Sequence, residues 1–164
     1  MNCPNCGGPF QLDEGKEHLH CEYCGTMHFP EPNADGVKVL GTEASSLCPV
    51  CRERLVHAAV SGQRTLYCER CRGMLIPMET FLAVVQHLRN APDKISAPPR
   101  PVDRKDLHRE ARCPHCHELM DTHVYAGPGN VVIDNCRHCA ANWLDHSELK
   151  QIVSAPAEHA PQTD

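Results

Sequence analysis

The chain has 164 residues, twelve of them cysteine, a formal net charge of −5 and few aromatic side chains. No apolar run approaches the ~18 residues that span a bilayer, and the first residues lack the features of a secretory signal. We therefore expect a cytoplasmic protein, in which dense cysteines indicate metal sites rather than disulfides. Because apolar area is scarce, small units held together by metal are predicted rather than one large core.

The cysteines form six Cys-x-x-Cys pairs, in which pairs containing proline alternate with pairs that lack it. Gaps of 14, 16 and 19 residues separate the two pairs of each set. This spacing is typical of four-cysteine zinc sites, since one tight turn can place two sulfurs on the same metal ion. The predicted ligands of three zinc ions are Cys3, Cys6, Cys21, Cys24, Cys48, Cys51, Cys68, Cys71, Cys113, Cys116, Cys136 and Cys139.

The first unit is predicted over residues 1–30. The segments "FQLD" and "HLHC" flank the turn "EGKE" between the two cysteine pairs, which predicts a β-hairpin. Pro30 and Pro32 follow the second pair, so no helix is expected there. Residues 31–46 are interpreted as a linker.

The second unit is predicted over residues 47–90, with a hairpin in which "SGQR" joins "RLVHAAV" to "TLYC". A helix should follow Pro77, with its buried face formed by residues at core spacing: Phe81, Leu82, Val85 and Leu88. Residues 91–112 contain four prolines and mixed charge, and are interpreted as a second linker.

The third unit is predicted over residues 113–154, and residues 155–164 are interpreted as a disordered tail. Strands at 119–125 and 131–135 flank the turn "AGPGN". Asp145, with Glu148 three residues later, has the pattern of a helix N-cap, and we expect the Asp145 side chain to cap the last helix. Trp143 should pack against the two strands of its own hairpin.

The predicted fold class is thus a small metal-stabilised α+β protein. It consists of three tandem four-cysteine zinc ribbons, each a β-hairpin, and the second and third ribbons are each followed by a short helix. The last unit, "CPHCHELM…VVIDNCRHCAANWLDHSEL", resembles the transcription-factor-IIB-type zinc ribbons of small bacterial proteins. Residues 113–149 match that pattern best, residues 48–88 match it partly, and residues 1–29 resemble zinc ribbons in general. The resemblance implies zinc and a ribbon fold.

Iron bound by four thiolates has the same geometry and stays open as an alternative metal. Four cysteines close the coordination shell of zinc, whereas a catalytic zinc keeps a free position, so an enzyme is not predicted and no catalytic residue is assigned. Each four-thiolate zinc site adds two negative charges, so three sites bring the net charge to about −11. We therefore predict a protein-interaction adaptor, for which the resemblance suggests a role in transcription. Direct binding of nucleic acid is the alternative function.

Overall fold

The structure, a computed structural model, describes residues 1–13, 15–92 and 96–156. The strands are β1 (Phe10–Leu12), β2 (Leu19–Cys21), β3 (Met27–His28), β4 (Val37–Leu47), β5 (Arg54–Val60), β6 (Gln63–Tyr67), β7 (Met74–Pro77), β8 (Asp121–Val124), β9 (Val132–Cys136) and β10 (Ala141–Leu144). The helices are α1 (Met78–Arg89), α2 (Glu148–Ser154) and one 3-10 turn over Asp106–His108. These elements are consistent with three tandem ribbons, two of which precede a helix.

The described strands form two sheets. Ribbon one is the three-stranded sheet β1-β2-β3, and a seven-stranded sheet has the order β4-β5-β6-β7-β10-β9-β8. Ribbon two supplies β5, β6 and β7, and ribbon three supplies β8, β9 and β10. The predicted turn of ribbon two is a two-residue loop, Ser61–Gly62, with φ of 48° and 80°. Positive φ at both positions matches the right-handed twist of the strands on either side.

Ribbons two and three are joined edge to edge, which the sequence did not predict. Strand β7 pairs antiparallel with β10, and Leu75 lies opposite Trp143. Leu75 follows Cys71 by four residues, as Trp143 follows Cys139, so the two residues occupy equivalent positions in their ribbons. An antiparallel pair with equivalent residues opposite each other has local two-fold symmetry. The two ribbons therefore form a pseudosymmetric pair within one chain.

The linker predicted over 31–46 is in large part a strand. Within β4, Val37 and Leu40 are fully buried and Ala44 nearly so. Strand β4 pairs antiparallel with β5, with irregular register between Val39 and Leu47. The strand pattern was hidden by one glycine and two serines and by bulges, which break the strict alternation of buried and exposed residues.

Instead of separate small cores, the seven-stranded sheet has an apolar cluster on each face. On one face Tyr67, Met74 and Leu144 pack with residues of both helices. On the other face Leu75 and Trp143 pack with cysteines of the second and third metal sites. Strand register accounts for this division, since directly opposed residues point to the same face of a sheet. The metal turns thus cover one face and the helices cover the other.

The helix predicted after Pro77 is confirmed as α1. Phe81 and Val85 are buried as expected, but Leu82 is 57% exposed. The fully buried Val84 takes the core position that was assigned to Leu82. Helix α1 also contacts α2, and the Arg89 guanidinium donates a 2.7 Å hydrogen bond to the carbonyl of Ile152. Contacts between the two helices therefore also connect ribbon two to ribbon three.

The prediction that the Asp145 side chain caps α2 is wrong, because Glu148 is the residue whose side chain accepts the hydrogen bond. The Glu148 carboxylate accepts a 2.6 Å hydrogen bond from the backbone N–H of Asp145, which is half of a capping box. The Asp145 side chain does not complete the box, because it accepts from the indole N–H of Trp143 at 2.9 Å and from Arg109. Ser147 occupies the N-cap position with a left-handed backbone and without a capping side-chain hydrogen bond.

The end of the linker predicted over 91–112 packs into ribbon three through Arg109 and Ala111. Arg109 makes ion pairs with Asp134 and Asp145, and the Asp134 side chain is completely buried. The hydroxyl of Thr122 donates a 2.6 Å hydrogen bond to the second oxygen of Asp134. Ala111 is also buried, and its carbonyl accepts from the backbone of Met120. Residues that looked like a solvated tether therefore supply part of the core of ribbon three.

The predicted disordered tail, 155–164, begins with a residue that is packed in the structure. Ala155 is almost fully buried, and its N–H donates to the carbonyl of Gln151. The remainder of the predicted tail, residues 157–164, lies outside the described residues.

Replacing Arg109 with leucine should lower the free energy of unfolding by about 3–5 kcal/mol, because it leaves the buried Asp134 carboxylate without its partner. Chemical denaturation followed by tryptophan fluorescence measures this loss. In the double variant Arg109→Leu/Asp134→Asn the loss should shrink, since no unpaired charge stays buried. Arg104→Leu, at an exposed position, is the matched control and should change stability little. Equal losses in the single and double variants would contradict the buried-charge argument.

Candidate metal centres

The structure brings all twelve predicted cysteines together in three sets of four. Within each set the four sulfur atoms lie within 4.8 Å of one another. The closest sulfur–sulfur contacts in the three sets are 3.4–3.6 Å, as between Cys48 and Cys71 or between Cys116 and Cys136. A disulfide requires about 2.05 Å. Four sulfurs placed tetrahedrally at about 2.3 Å from zinc are ~3.8 Å apart, so each set fits a zinc ion.

All six cysteine pairs share one backbone conformation. The residue that follows the second cysteine of every pair has positive φ, between 48° and 75°. Glycine fills this place in ribbon one, at Gly7 and Gly25, and residues with side chains fill it in ribbons two and three. In ribbon two, Arg52 donates its N–H to the carbonyl of Cys48, which closes the turn. This reversal of the chain lets both sulfurs of a pair face the same point.

Backbone N–H groups also point toward sulfur. The N–H groups of Val50 and Cys51 lie 3.4 and 3.5 Å from the sulfur of Cys48. The N–H of Cys139 lies 3.4 Å from the sulfur of Cys136. Donors in this position stabilise the thiolate, the form of cysteine that binds metal.

The first site differs from the other two in exposure. Cys6 and Cys24 are exposed, whereas the outer cysteines of the other sites are partly covered. Hydrogen bonds from the side chain and backbone of Thr26 lower the pKa of Cys24 to about 6, with the hydroxyl 3.1 Å from the sulfur. In the second site, burial raises the pKa of the Cys48 thiol to about 11. Zinc must therefore displace a more tightly held proton from Cys48 than from Cys24.

Sequence reasoning missed Thr26 as a neighbour of the first site. The only signal for it was its position two residues after Cys24, where its hydroxyl can reach back to the sulfur. Ribbon three also contains histidines, but none of them belongs to a set of possible metal ligands in the described residues. In the part of the chain that the structure describes, every set that fits a metal ion consists of cysteine alone.

Comparisons with known proteins agree with this geometry. Residues 1–77 match a family model described as a double zinc ribbon, and residues 112–155 match a transcription factor zinc-finger model of the transcription-factor-IIB type. No curated protein and no solved structure matches the chain. The chain is therefore a zinc-ribbon protein with sites for three Zn²⁺ ions. Its third ribbon is similar to the transcription-factor-IIB-type zinc ribbons, and its first two ribbons are similar to the double zinc ribbons.

The double-zinc-ribbon model covers ribbons one and two, whereas the seven-stranded sheet contains ribbons two and three. Polar contacts connect ribbon one to the rest of the chain. The Lys38 ammonium of β4 lies 2.9 Å from a carboxylate oxygen of Glu17, and Arg64 of ribbon two donates to the carbonyl of Asp13 at 3.2 Å. Ribbon two thus contacts ribbon one through a hydrogen bond and ribbon three through a shared core.

Neither helix found in the described ranges has the length and apolar character needed to cross a lipid bilayer.

Protein purified under reducing conditions should contain about three zinc ions per chain, one for each set of four cysteines. Elemental analysis by mass spectrometry measures zinc and iron together and so tests the alternative metal. Cys6→Ser should reduce the zinc content by about one ion, whereas Cys51→Ser and Cys116→Ser should each reduce it by about one to two ions, because ribbons two and three share an apolar cluster. Three iron ions and no zinc, or six disulfides in the intact mass, would contradict the assignment.

Proposed function

We propose that this protein is a non-catalytic adaptor of the cytoplasm that binds a protein partner of the transcription machinery through ribbon one. The observation that carries this proposal is the exposure of Tyr23, Met27 and Phe29, at 76%, 58% and 64%. Large apolar side chains placed together at a protein surface are typical of interaction sites. The role in transcription rests on the family description matched by residues 112–155.

The three side chains are held in place by ribbon one. Met27 and Phe29 flank the half-buried His28, so they project from the same side of the chain. The Phe29 ring is 5.1 Å from the ring of His18, and Tyr23 lies close against Gly8. A rigid metal-bound hairpin presents them at little cost in conformational entropy, which favours binding.

Charge supports a protein partner over nucleic acid. Three arginines of ribbon two are engaged with acids, among them Arg70, which pairs with Glu53 at 2.7 Å, and Arg72, which pairs with Asp35 at 2.5 Å. Arg54 lies 3.7 Å from Glu43. Each pair lowers the positive field that a phosphate backbone would meet, and three zinc–thiolate sites add negative charge. Zinc ribbon families are in general non-catalytic, which agrees with an adaptor.

A photo-crosslinking amino acid at position 29 tests the proposal in the native cell. We expect one protein partner to be captured from position 29 and lost in Tyr23→Ser/Met27→Ser. Position 82 on α1, where Leu82 is similarly exposed, is the matched control and should not capture the protein that position 29 captures. Mass spectrometry of the captured protein then tests the link to transcription. Equal capture from both positions would contradict the proposed surface.

Binding of mixed-sequence DNA and RNA separates the two functions. We expect no affinity in the micromolar range at low salt. Affinity at or below micromolar that falls steeply with salt would favour the nucleic-acid alternative, because counterion release is the mark of phosphate contacts.

A further inference from the structure

A cavity of about 200 Å³ opens on the face of the long sheet that carries the metal sites. Its floor is apolar and includes Leu66, Leu75 and Ala141. Ribbon two supplies one end, with Arg64 and His57, and ribbon three supplies the other, with Cys139 and His115. The cavity therefore straddles the junction between the two ribbons, away from the exposed surface of ribbon one.

Strand register explains why these residues meet. Ala141 lies opposite Pro77 and Leu66 lies opposite Leu75. Continuing the β6–β7 register places Arg64 beside Pro77, so Arg64, Pro77 and Ala141 form one row across three strands. Two strand spacings separate Arg64 from Ala141, roughly 10 Å. All three residues of this row line the cavity, together with the zinc ligand Cys139.

Among the described residues, the Arg64 guanidinium lacks one of its hydrogen-bond partners. Its Nη2 donates to the carbonyl of Asp13, but its Nη1 is buried and has no hydrogen-bond partner in the described structure. Glu17, the nearby acid, pairs with Lys38 at 2.9 Å through one carboxylate oxygen, and its other oxygen is also buried without a hydrogen-bond partner in the described part of the chain. A guanidinium that lines an apolar cavity and lacks some of its acceptors favours an anionic ligand there.

The Arg64 guanidinium supplies the positive charge at the cavity end formed by ribbon two. His57 lines the same end, and burial and the charge of Arg64 both lower its pKa, which favours the neutral imidazole. The opposite end is negative when zinc is bound, since Cys139 contributes a thiolate. A bound anion should therefore direct its charge toward Arg64 and its apolar part toward Ala141.

We propose that this cavity binds a small organic acid, a carboxylate on an apolar body of about one ring. A cavity of about 150 Å³ is large enough to hold benzene, so about 200 Å³ accommodates one ring and a carboxylate. The guanidinium binds the carboxylate, and the apolar floor covers the ring. The ligand contacts both ribbons and so stabilises their junction. This site is independent of the proposed adaptor surface.

Benzoate is the probe, added to the zinc-loaded full chain and followed by two-dimensional amide NMR. We expect saturable shifts at residues 57, 64–66 and 139–141. Benzamide has the same shape without the charge and should bind at least about tenfold more weakly, the effect of a charge-assisted hydrogen bond. Arg64→Gln should abolish the preference for benzoate. The control Arg137→Gln, at an exposed arginine that pairs with Asp121 outside the cavity, should retain it.

Zinc content and amide dispersion show whether each variant is folded. If Arg64→Gln loses either one, Arg64→Lys serves instead, because it keeps the charge but loses the planar pair of donors. We then expect weaker but still selective binding of benzoate. Absence of saturable shifts in the wild-type chain at millimolar benzoate would overturn the proposal. So would equal affinity for benzoate and benzamide, or shifts at other residues only.

Discussion

Replacing Cys136 with serine should unfold ribbons two and three together and leave ribbon one folded. A structural zinc site contributes about 10–16 kcal/mol of binding free energy at neutral pH, as much as the whole stability of an ordinary domain. Cys136 is buried, and it packs in the same apolar cluster as Trp143 and the cysteines of the second site. Loss of the third zinc therefore removes the support for both halves of the seven-stranded sheet.

Amide NMR of uniformly labelled protein measures this result residue by residue. Cys3→Ser is the matched control, because Cys3 is equally buried but belongs to the separate three-stranded sheet. In that variant we expect ribbon one to lose its dispersed amide signals, while residues 54–77 and 121–144 keep theirs. A dispersed spectrum of ribbon two in Cys136→Ser would show that the two ribbons fold independently.

Trp143→Ala should lower the free energy of unfolding of the long sheet by about 3–5 kcal/mol. The Trp143 side chain is completely buried and contacts Gly73, where an added methyl group would lie 2.4 Å from the ring. The ring therefore packs against the metal turn of ribbon two as well as its own ribbon. Its removal leaves a cavity at the junction and also removes a hydrogen bond to Asp145.

Chemical denaturation followed by circular dichroism measures the loss, because the alanine variant has no tryptophan. Trp143→Phe keeps most of the ring volume and should lose less stability than Trp143→Ala. Tyr23→Ala, at an exposed aromatic residue, is the control and should change stability by less than about 0.5 kcal/mol. In the wild-type chain, the fluorescence of this single tryptophan should be shielded from acrylamide. Easy quenching would contradict the buried position.

Local features of this chain could be predicted because their causes are local. Cysteine spacing determined the three metal sets, the Ser61–Gly62 turn determined a hairpin, and Pro77 marked the start of α1. Each of these depends on turns of a few consecutive residues, such as the Cys-x-x-Cys pairs that make up the metal sets. The backbone geometry of a tight turn or a helix start is set by such neighbours and needs no knowledge of the rest of the fold.

Features that depend on distant partners could not be predicted. Leu75 and Trp143 each looked like residues that cover their own hairpins, and no sequence signal indicated that they lie opposite each other. Arg109 looked solvated because it lies in a charged, proline-rich segment. Its partners Asp134 and Asp145 are 25 and 36 residues further along the chain. The correct interpretation of such residues requires the tertiary structure.

The edge-to-edge pairing of β7 with β10 also affects how the protein responds to dilution. Two separate ribbons that met through these strands would form a dimer, and dilution would drive them apart. Here one polypeptide carries both strands, so their association is a first-order process with a high effective concentration. The unfolding midpoint of the long sheet is therefore independent of protein concentration. The pairing also occupies both strand edges, and neither β7 nor β10 is free to recruit another copy of the chain.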